Sequence, residues 1–95
     1  MIGKYCIVRG NNSGVFAGTV KEIEGQRVLM ENVRQIWYWD GAASISQLAK
    51  SGTTAPKNCK FTVHVETALI TDVIEIIPCT EKAVQSIEAV KEWKR

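Results

Sequence analysis

Residues 34–48 read RQIWYWDGAASISQL, and this stretch decides how the chain is organised. It begins as a strand-like run of apolar and aromatic residues, turns at Asp40-Gly41, and continues into a short helix that Ser44 can cap. It also holds two of the three tryptophans and one of the two tyrosines in the chain. The stretch therefore predicts a strand that ends in an aromatic cluster beside the start of a helix.

Upstream of this junction, the pattern predicts three strands, at residues 4–8, 15–24 and 27–39. The second and third form a hairpin through a short turn at Gly25. Gly18 would weaken an ordinary strand interior, so it indicates a bulge or the close approach of another backbone. The long third strand is expected to bend near Glu31-Asn32.

Downstream of the junction, two further strands are expected. Phe61, Val63 and Val65 alternate with polar residues, which is typical of a half-buried strand. Residues 70–77 are almost continuously apolar, which predicts a central or well-covered strand that Pro78 ends.

Two helices complete the pattern. A short one is predicted at residues 45–50, and a C-terminal one follows its cap Thr80 and carries an apolar stripe that ends near Trp93. The element order is then β-β-β-α-β-β-α in a single domain of residues 1–95. Hairpin-length connections favour an α+β fold with a mainly antiparallel five-stranded sheet, and the strand number also allows a partly closed barrel.

The composition excludes several function classes. A net charge of +2 with no basic stripe argues against binding to a nucleic-acid polymer. No apolar run approaches the roughly 20 residues that span a membrane, and the N-terminus has no signal-peptide core, so a cytoplasmic protein is expected. Cys6, Cys59 and Cys79 show no paired spacing, which favours reduced, buried thiols and gives no metal site.

Catalytic chemistry is not indicated by the sequence. The only histidine, His64, alternates with apolar strand residues and is expected to face solvent. Ser44 lies in no nucleophile elbow, and the carboxylates have no metal-ligand spacing. We therefore expect a protein that is not an enzyme, with no catalytic residue, no bound metal and no cofactor.

The junction is the candidate ligand site. Trp37 and Trp39 share one strand face and could stack a nucleobase, and Arg34 could form a forked pair with a phosphate. The free N–H groups at the helix start attract anions, and small residues let a ligand approach the backbone. The candidate ligand-binding residues are Arg34, Trp37, Trp39, Asp40, Gly41, Ser44 and Gln47, with Arg9 and Asn11 as a second polar lip.

Two other interpretations of the same junction stay open. The tryptophans could supply core area, with the small residues only allowing the helix to pack on the sheet. The aromatic surface could also bind a protein partner or a second copy of the chain, since aromatic residues and arginine are enriched in interfaces.

Three segments resemble a family of small, uncharacterised proteins encoded by tailed phages and prophages. They are IWYWDGAASISQLAKSGT at residues 36–53, PKNCKFTVHV at 56–65 and VIEIIPCTEKAVQSIEAVKEW at 73–93, with WYWDGAAS the distinctive block. The resemblance implies a viral accessory protein that acts in the bacterial cytoplasm, and it carries no catalytic motif.

The chain is also similar in kind to phage counter-defence sponges of the Thoeris anti-defence type, which sequester nucleotide immune signals such as cyclic ADP-ribose isomers. From this similarity we expect a homo-oligomer that binds a small nucleotide-derived signal without turnover. The alternative is a protein–protein interaction module that inhibits a host factor.

Overall fold

Six strands and two α-helices make up the fold in the computed structural model, which describes residues 1–95. The strands are β1 (Tyr5–Gly10), β2 (Val15–Glu24), β3 (Arg27–Tyr38), β4 (Lys60–Phe61), β5 (Val65–Ile70) and β6 (Val73–Pro78). The helices are α1 (Ile45–Ser51) and α2 (Glu81–Ala89), and a 3₁₀ turn covers Pro56–Asn58. The predicted α+β class is confirmed, with six strands where the sequence predicted five.

The strands form one antiparallel, unclosed sheet in the order β4-β3-β2-β1-β6. The long strand β3 has two neighbours on its outer side, because β5 pairs with its first half and β4 pairs with its last residues. Only Thr71 and Asp72 connect β5, which pairs with β3, to β6, which pairs with β1. This short connection requires the sheet to curl until its two edges approach each other at one end.

The strand predictions between residues 61 and 77 need two corrections. The predicted strand around Phe61 is divided into β4 and β5, because residues 62–64 leave the ladder. The apolar run at residues 70–77 is not one central strand, since a turn at Thr71–Asp72 divides it and β6 lies at the edge of the sheet. The run is apolar because Ile76 and Ile77 pack against two different cores on opposite faces.

The two cores lie on the two faces of the curled sheet. The helix-side core consists of Ile7, Ala17, Ile36, Leu48, Ala49, Cys59, Phe61, Ile87 and Val90. The inner core consists of Cys6, Val8, Val20, Val28, Met30, Val33, Ile70 and Val73. Consecutive residues of β1 therefore contribute to both cores, and this strand is buried on both faces.

The predicted bend in β3 is confirmed at Asn32, whose φ of +48° is the one positive value among non-glycine residues. The strand pairing shifts register opposite this point, between Ala17 and Thr19. Gly18 lies there, and a Cβ added to it would be 2.9 Å from the Cα of Val33. The predicted close approach of another backbone at Gly18 is therefore confirmed.

Side-chain caps start both helices at the predicted residues. Ser44 Oγ accepts from the N–H of Gln47 at the start of α1, and Thr80 Oγ1 accepts from that of Ala83 at the start of α2. Helix α2 ends at Ala89, so Trp93 lies in the tail that follows it. Neither helix has the length and apolar character that a membrane span would require.

The three cysteines are free thiols, and none forms a disulfide. Cys6 and Cys59 are buried, and Cys79 is half-buried. Burial is the main reason that the pKa of Cys79 rises to about 12. Cys6 packs in the inner core as a small apolar side chain, whereas Cys59 Sγ also lies 3.5 Å from both the backbone nitrogen and the carbonyl oxygen of Asp40.

Candidate functional site

Arg34 lies inside the protein and not at the surface, with only 1% of its area exposed. Its Nε donates to the carbonyl of Thr62 at 3.1 Å, and its Nη2 donates to that of Phe61 at 3.3 Å. Its Nη1 donates to the carbonyls of Ile87 at 3.0 Å and Val90 at 2.9 Å. Arg34 therefore joins backbone carbonyls at the end of α2 to those of the last residue of β4 and the residue that follows it.

The bend at Asn32 explains this placement, because it breaks the alternation of β3 and buries both Val33 and Arg34. Burial lowers the pKa of Arg34, and the nearby carboxylate of Glu88 opposes that shift. The guanidinium also lies over the ring of Phe61, 5.5 Å from its centre. Four of the five N–H donors of Arg34 are therefore occupied by backbone carbonyls, and Arg34 also lines the first of the two cavities described below.

Side chains of α1 and its cap occupy two backbone N–H groups near the start of the helix. Ser44 caps the N–H of Gln47 at 3.1 Å, and the Oε1 of Gln47 accepts from the N–H of Ala43 at 2.6 Å. This reciprocal pair resembles a capping box, in which side chains occupy donors that would otherwise be free for an anion. Ser44 and Gln47 thus serve the helix in this structure.

Asp40 and Gly41 organise the loop between β3 and α1. The Asp40 carboxylate accepts from the N–H of Gly41 at 2.8 Å and from Asn58 Nδ2 at 3.0 Å, and the Asn58 bond is the main cause of the lowered pKa of Asp40. The Gly41 carbonyl accepts from the N–H of Thr54 at 3.1 Å. Gly41 has a φ of +81°, which favours glycine, and lies tightly against the backbone near Thr54.

Arg9 and Asn11 belong to a different part of the molecule. Arg9 forms an exposed ion pair with Glu75 of β6 at 3.1 Å, and the N–H of Asn11 donates to the carbonyl of Asp72 at 2.8 Å. Both residues therefore connect the β1–β2 loop region to β6 and the turn before it. Neither lines either cavity described below.

The two tryptophans of the junction have different roles. Trp39 is half-buried against the helix-side core, and its Nε1 donates to the carbonyl of Ala42 at 3.2 Å. Trp37 is 60% exposed. The strand pairing shifts between Ile36 and Tyr38, so Trp37 is the extra residue of a bulge, and this turns its ring outward.

Trp37 stacks on Trp93, a residue that follows α2 and is distant from Trp37 in sequence. Its ring centre lies 6.0 Å from that of Trp93, with the two planes inclined by 23°. Lys60 Nζ lies 5.6 Å from the centre of the Trp93 ring, and Tyr38 pairs with Lys60 across the strands. We call Trp37, Tyr38, Lys60 and Trp93 the aromatic patch.

The aromatic patch is a surface and not a pocket. The molecule has two cavities, of about 160 Å³ and 230 Å³. Both are smaller than the roughly 300–1,000 Å³ typical of small-molecule sites. The first lies beside Phe16 and Val63, the second beside Leu29 and Leu69, and no residue of the patch lines either one.

His64 anchors the tail that carries Trp93. Its Nδ1 lies 2.8 Å from Glu92 Oε2, and its backbone N–H donates to the same oxygen at 2.9 Å. Its Nε2 lies 3.1 Å from both carboxylate oxygens of Glu88, and Tyr5 donates to Glu88 Oε2 at 2.6 Å. His64 was expected to face solvent, and its side chain is 29% exposed. Its ring nevertheless contacts two carboxylates, because residues 62–64 leave the ladder and turn toward α2.

The structure brings only part of the predicted site together. Trp37 faces solvent, whereas Arg34, Trp39 and Ser44 are bonded within the fold. Sequence reasoning missed Trp93, Lys60 and His64. The sequence pattern assigned Trp93 to the end of the apolar stripe of the C-terminal helix, and the one signal of another role was its position among charged residues.

Together, these features define a small α+β domain with a curled antiparallel sheet and an exposed aromatic patch. The chain belongs to a family described as a domain of unknown function, DUF6948, whose model matches residues 3–87. Among curated proteins, none matches the chain significantly. Trp37, Tyr38 and Lys60 lie within the matched range, and Trp93 lies beyond it.

Proposed function

We propose that the protein is a non-catalytic binding protein that recognises a protein partner through the aromatic patch. The observation that carries this proposal is the stacked pair of Trp37 and Trp93, which remain 60% and 44% exposed. Tryptophan and tyrosine are the residues most enriched among the few that dominate the binding energy of interfaces. Large rings that stay in water in the free protein can be buried when a partner docks.

The shape of the patch favours a macromolecular partner over a small molecule. Small ligands bind in concave sites that bury most of their surface, whereas the patch lines neither cavity. A protein partner could supply the other wall. Lys60, beside Trp93, would then favour an acidic group on the partner next to the apolar contact.

A non-catalytic role agrees with the contacts of the titratable side chains, which bond to one another within the fold. His64, Glu88, Glu92 and Tyr5 bond to one another and hold α2 and the tail to the sheet. None of them lines a cavity in which a substrate could bind. We therefore propose binding without turnover.

Sequestration of a nucleotide-derived signal is the second candidate, and the exposed face of Trp37 with Lys60 nearby favours it. A base could stack on Trp37 for roughly 1–3 kcal/mol, and Lys60 could meet a phosphate in place of the buried Arg34. Because one copy of the chain offers no enclosure at this point, a second copy would have to cover the ligand. The proposed homo-oligomer would provide that cover.

The phage origin, the counter-defence role and the cytoplasmic location also stay proposals. The resemblance of residues 36–53 and 73–93 to phage proteins supports them. On this view the protein partner is a host factor that the phage inhibits.

Affinity capture from lysate of a bacterial host tests the leading proposal. The tagged chain, its Trp37→Ala variant and its Val65→Ala variant would each be used as bait, and captured proteins would be quantified by mass spectrometry. Val65 is a matched control because it is exposed and apolar but lies on β5, outside the patch. We expect a stoichiometric partner with the wild type and with Val65→Ala, and loss of that partner with Trp37→Ala.

A partner retained equally by Trp37→Ala would contradict the proposed surface. A thermal-shift panel of cyclic nucleotides and ADP-ribose isomers tests the second candidate with the same variants. A shift that Trp37→Ala and Lys60→Gln both abolish would favour the nucleotide ligand over the protein partner.

A further inference from the structure

We propose that His64 is a pH-dependent latch that holds the C-terminal tail, residues 90–95, and with it the Trp93 half of the aromatic patch. The biological consequence rests on the proposed function, because the surface that the latch completes is the proposed binding surface. The latch itself is a property of the free protein and needs no partner to be observed.

The tail beyond the core has few attachments. Val90 is buried in the helix-side core, and the next residues are mostly exposed. The N–H of Trp93 donates to the carbonyl of Phe61 at 2.8 Å, and Glu92 bonds to His64 through one carboxylate oxygen. The backbone of Glu92 also bridges that of Phe61, so the carboxylate is the side-chain part of this anchor. Weakening it loosens the adjacent Trp93 ring that stacks on Trp37.

The geometry around His64 favours the doubly protonated ring. Each ring nitrogen faces a carboxylate oxygen, with Nδ1 at 2.8 Å from Glu92 and Nε2 at 3.1 Å from Glu88. An ionised carboxylate only accepts hydrogen bonds, and a neutral imidazole has one donor nitrogen and one lone pair. Loss of one proton therefore sets a lone pair against a carboxylate on one side of the ring.

The groups that face His64 come from several packed elements. Glu88 of α2 and Glu92 of the tail favour the imidazolium, while the buried guanidinium of Arg34 on β3 opposes it. Tyr5 of β1 donates to Glu88, and Lys94 lies 4.0 Å from the other oxygen of Glu92. Burial by itself lowers the pKa of His64, but the bonds to Glu92 and Glu88 outweigh it, so the pKa is raised overall.

The raised pKa of His64 determines how the latch responds to pH. Below the ordinary histidine pKa of 6.5, the imidazolium holds both carboxylates and Trp93 stays on Trp37. As the pH rises through the raised pKa of the folded protein, the ring loses a proton and one carboxylate loses its donor. Because the backbone N–H of His64 still donates to Glu92 after the ring loses its proton, we expect the Glu92 contact to weaken and the Trp93 ring to become more mobile on Trp37.

An NMR titration of the wild-type chain from about pH 5 to pH 9 tests the latch. His64 is the only histidine, so its ring signals are assigned without ambiguity. We expect a pKa above 6.5, with the contacts between the Trp37 and Trp93 indole protons weakening at the same midpoint. Glu92→Gln should lower the pKa of His64 and weaken the ring contacts at low pH, whereas the exposed control Glu66→Gln should change neither.

Ring contacts that stay equally strong while His64 titrates would overturn the proposal, and so would a His64 pKa at or below 6.5. The wild-type titration decides the matter even if Glu92→Gln does not fold. A failure to find any partner for the patch would count against the proposed function and leave this titration unchanged. The two ideas can therefore fail separately.

Discussion

The buried guanidinium of Arg34 on β3 donates to the carbonyl of Val90, the residue that follows α2, over a distance of 2.9 Å. This contact decides how the candidate site can work. It commits the cation of residues 34–48 to the fold and leaves the exposed Trp37 as the part of that stretch that a partner can reach.

The first prediction concerns the stability that Arg34 provides. Replacing it in Arg34→Met leaves several buried carbonyls without a donor, and each such group costs roughly 1–3 kcal/mol. We expect the free energy of unfolding to fall by at least about 3 kcal/mol in urea denaturation. Arg27→Met, an exposed change on the same strand, should stay within about 0.5 kcal/mol of the wild type. Similar values for the two variants would contradict a structural role for Arg34.

Gly18 is expected to tolerate no side chain. A Cβ there would lie 2.9 Å from Val33 Cα and 3.0 Å from the carbonyl oxygen of Glu31, and backbone atoms cannot move aside easily. Gly18→Ala should therefore lower the free energy of unfolding by about 1–3 kcal/mol. Gly25→Asn is the control, because Gly25 has open space around it and asparagine tolerates its φ of +59°. Equal stability of Gly18→Ala and the wild type would refute the close approach.

Two carboxylates are expected to hold two separate loops. Asp72 accepts from the N–H groups of Asn12 at 2.7 Å and Ser13 at 3.0 Å, and from Ser13 Oγ at 2.5 Å. In Asp72→Asn, the amides of Asn12 and Ser13 should exchange hydrogen faster, because an amide group is a weaker acceptor than a carboxylate. In Asp40→Asn, the Gly41 amide should respond instead, and the Asn12 and Ser13 amides should not. If either variant changed amide exchange in the loop that the other carboxylate binds, the two carboxylates would not act as separate local anchors.

The stabilising contribution of the Asp72 carboxylate is expected to decrease at acidic pH. Its bonds to Ser13 and Asn12 hold the pKa of the carboxyl below its ordinary 3.8. The stabilising contribution is therefore present above pH 3.8 and is lost as the pH falls through the lower pKa of the folded state. Hydrogen exchange at Asn12 and Ser13 should accelerate in that acidic range in the wild type, and Asp72→Asn should show no such step.

His64 gives a stability change of opposite sign at higher pH. Because its pKa is raised in the folded protein, its contribution is complete below 6.5 and declines as the pH rises through the folded pKa. Thermal unfolding of the wild type should therefore shift to lower temperature across that window. In His64→Gln the shift should disappear, and an equal shift in that variant would assign it to another group.

Local sequence signals predicted the parts of the fold that depend on neighbouring residues. The turn after Trp39, the Ser44 cap, the hairpin at Gly25 and the bend at Asn32 all follow from backbone conformation or short-range bonding. These features could be predicted because the residues that form them are close together in the chain.

The site could not be predicted in the same way, since it depends on contacts between distant segments. Arg34 is close to Trp37 in sequence, but the bend at Asn32 turns its side chain toward the end of α2. Trp93 reaches Trp37 only because the tail returns along Phe61. Strand alternation carries no information on either event.

The most direct test of the aromatic patch compares Trp37→Ala with Trp39→Ala, two tryptophan changes two positions apart. Partner capture and urea denaturation would be measured on both. We predict that Trp37→Ala loses the partner while its free energy of unfolding changes by less than about 1 kcal/mol, because the ring is exposed. Trp39→Ala should lose roughly 2 kcal/mol or more of stability and keep the partner where it is folded. Retained binding by Trp37→Ala would contradict the assignment of the patch as the recognition surface.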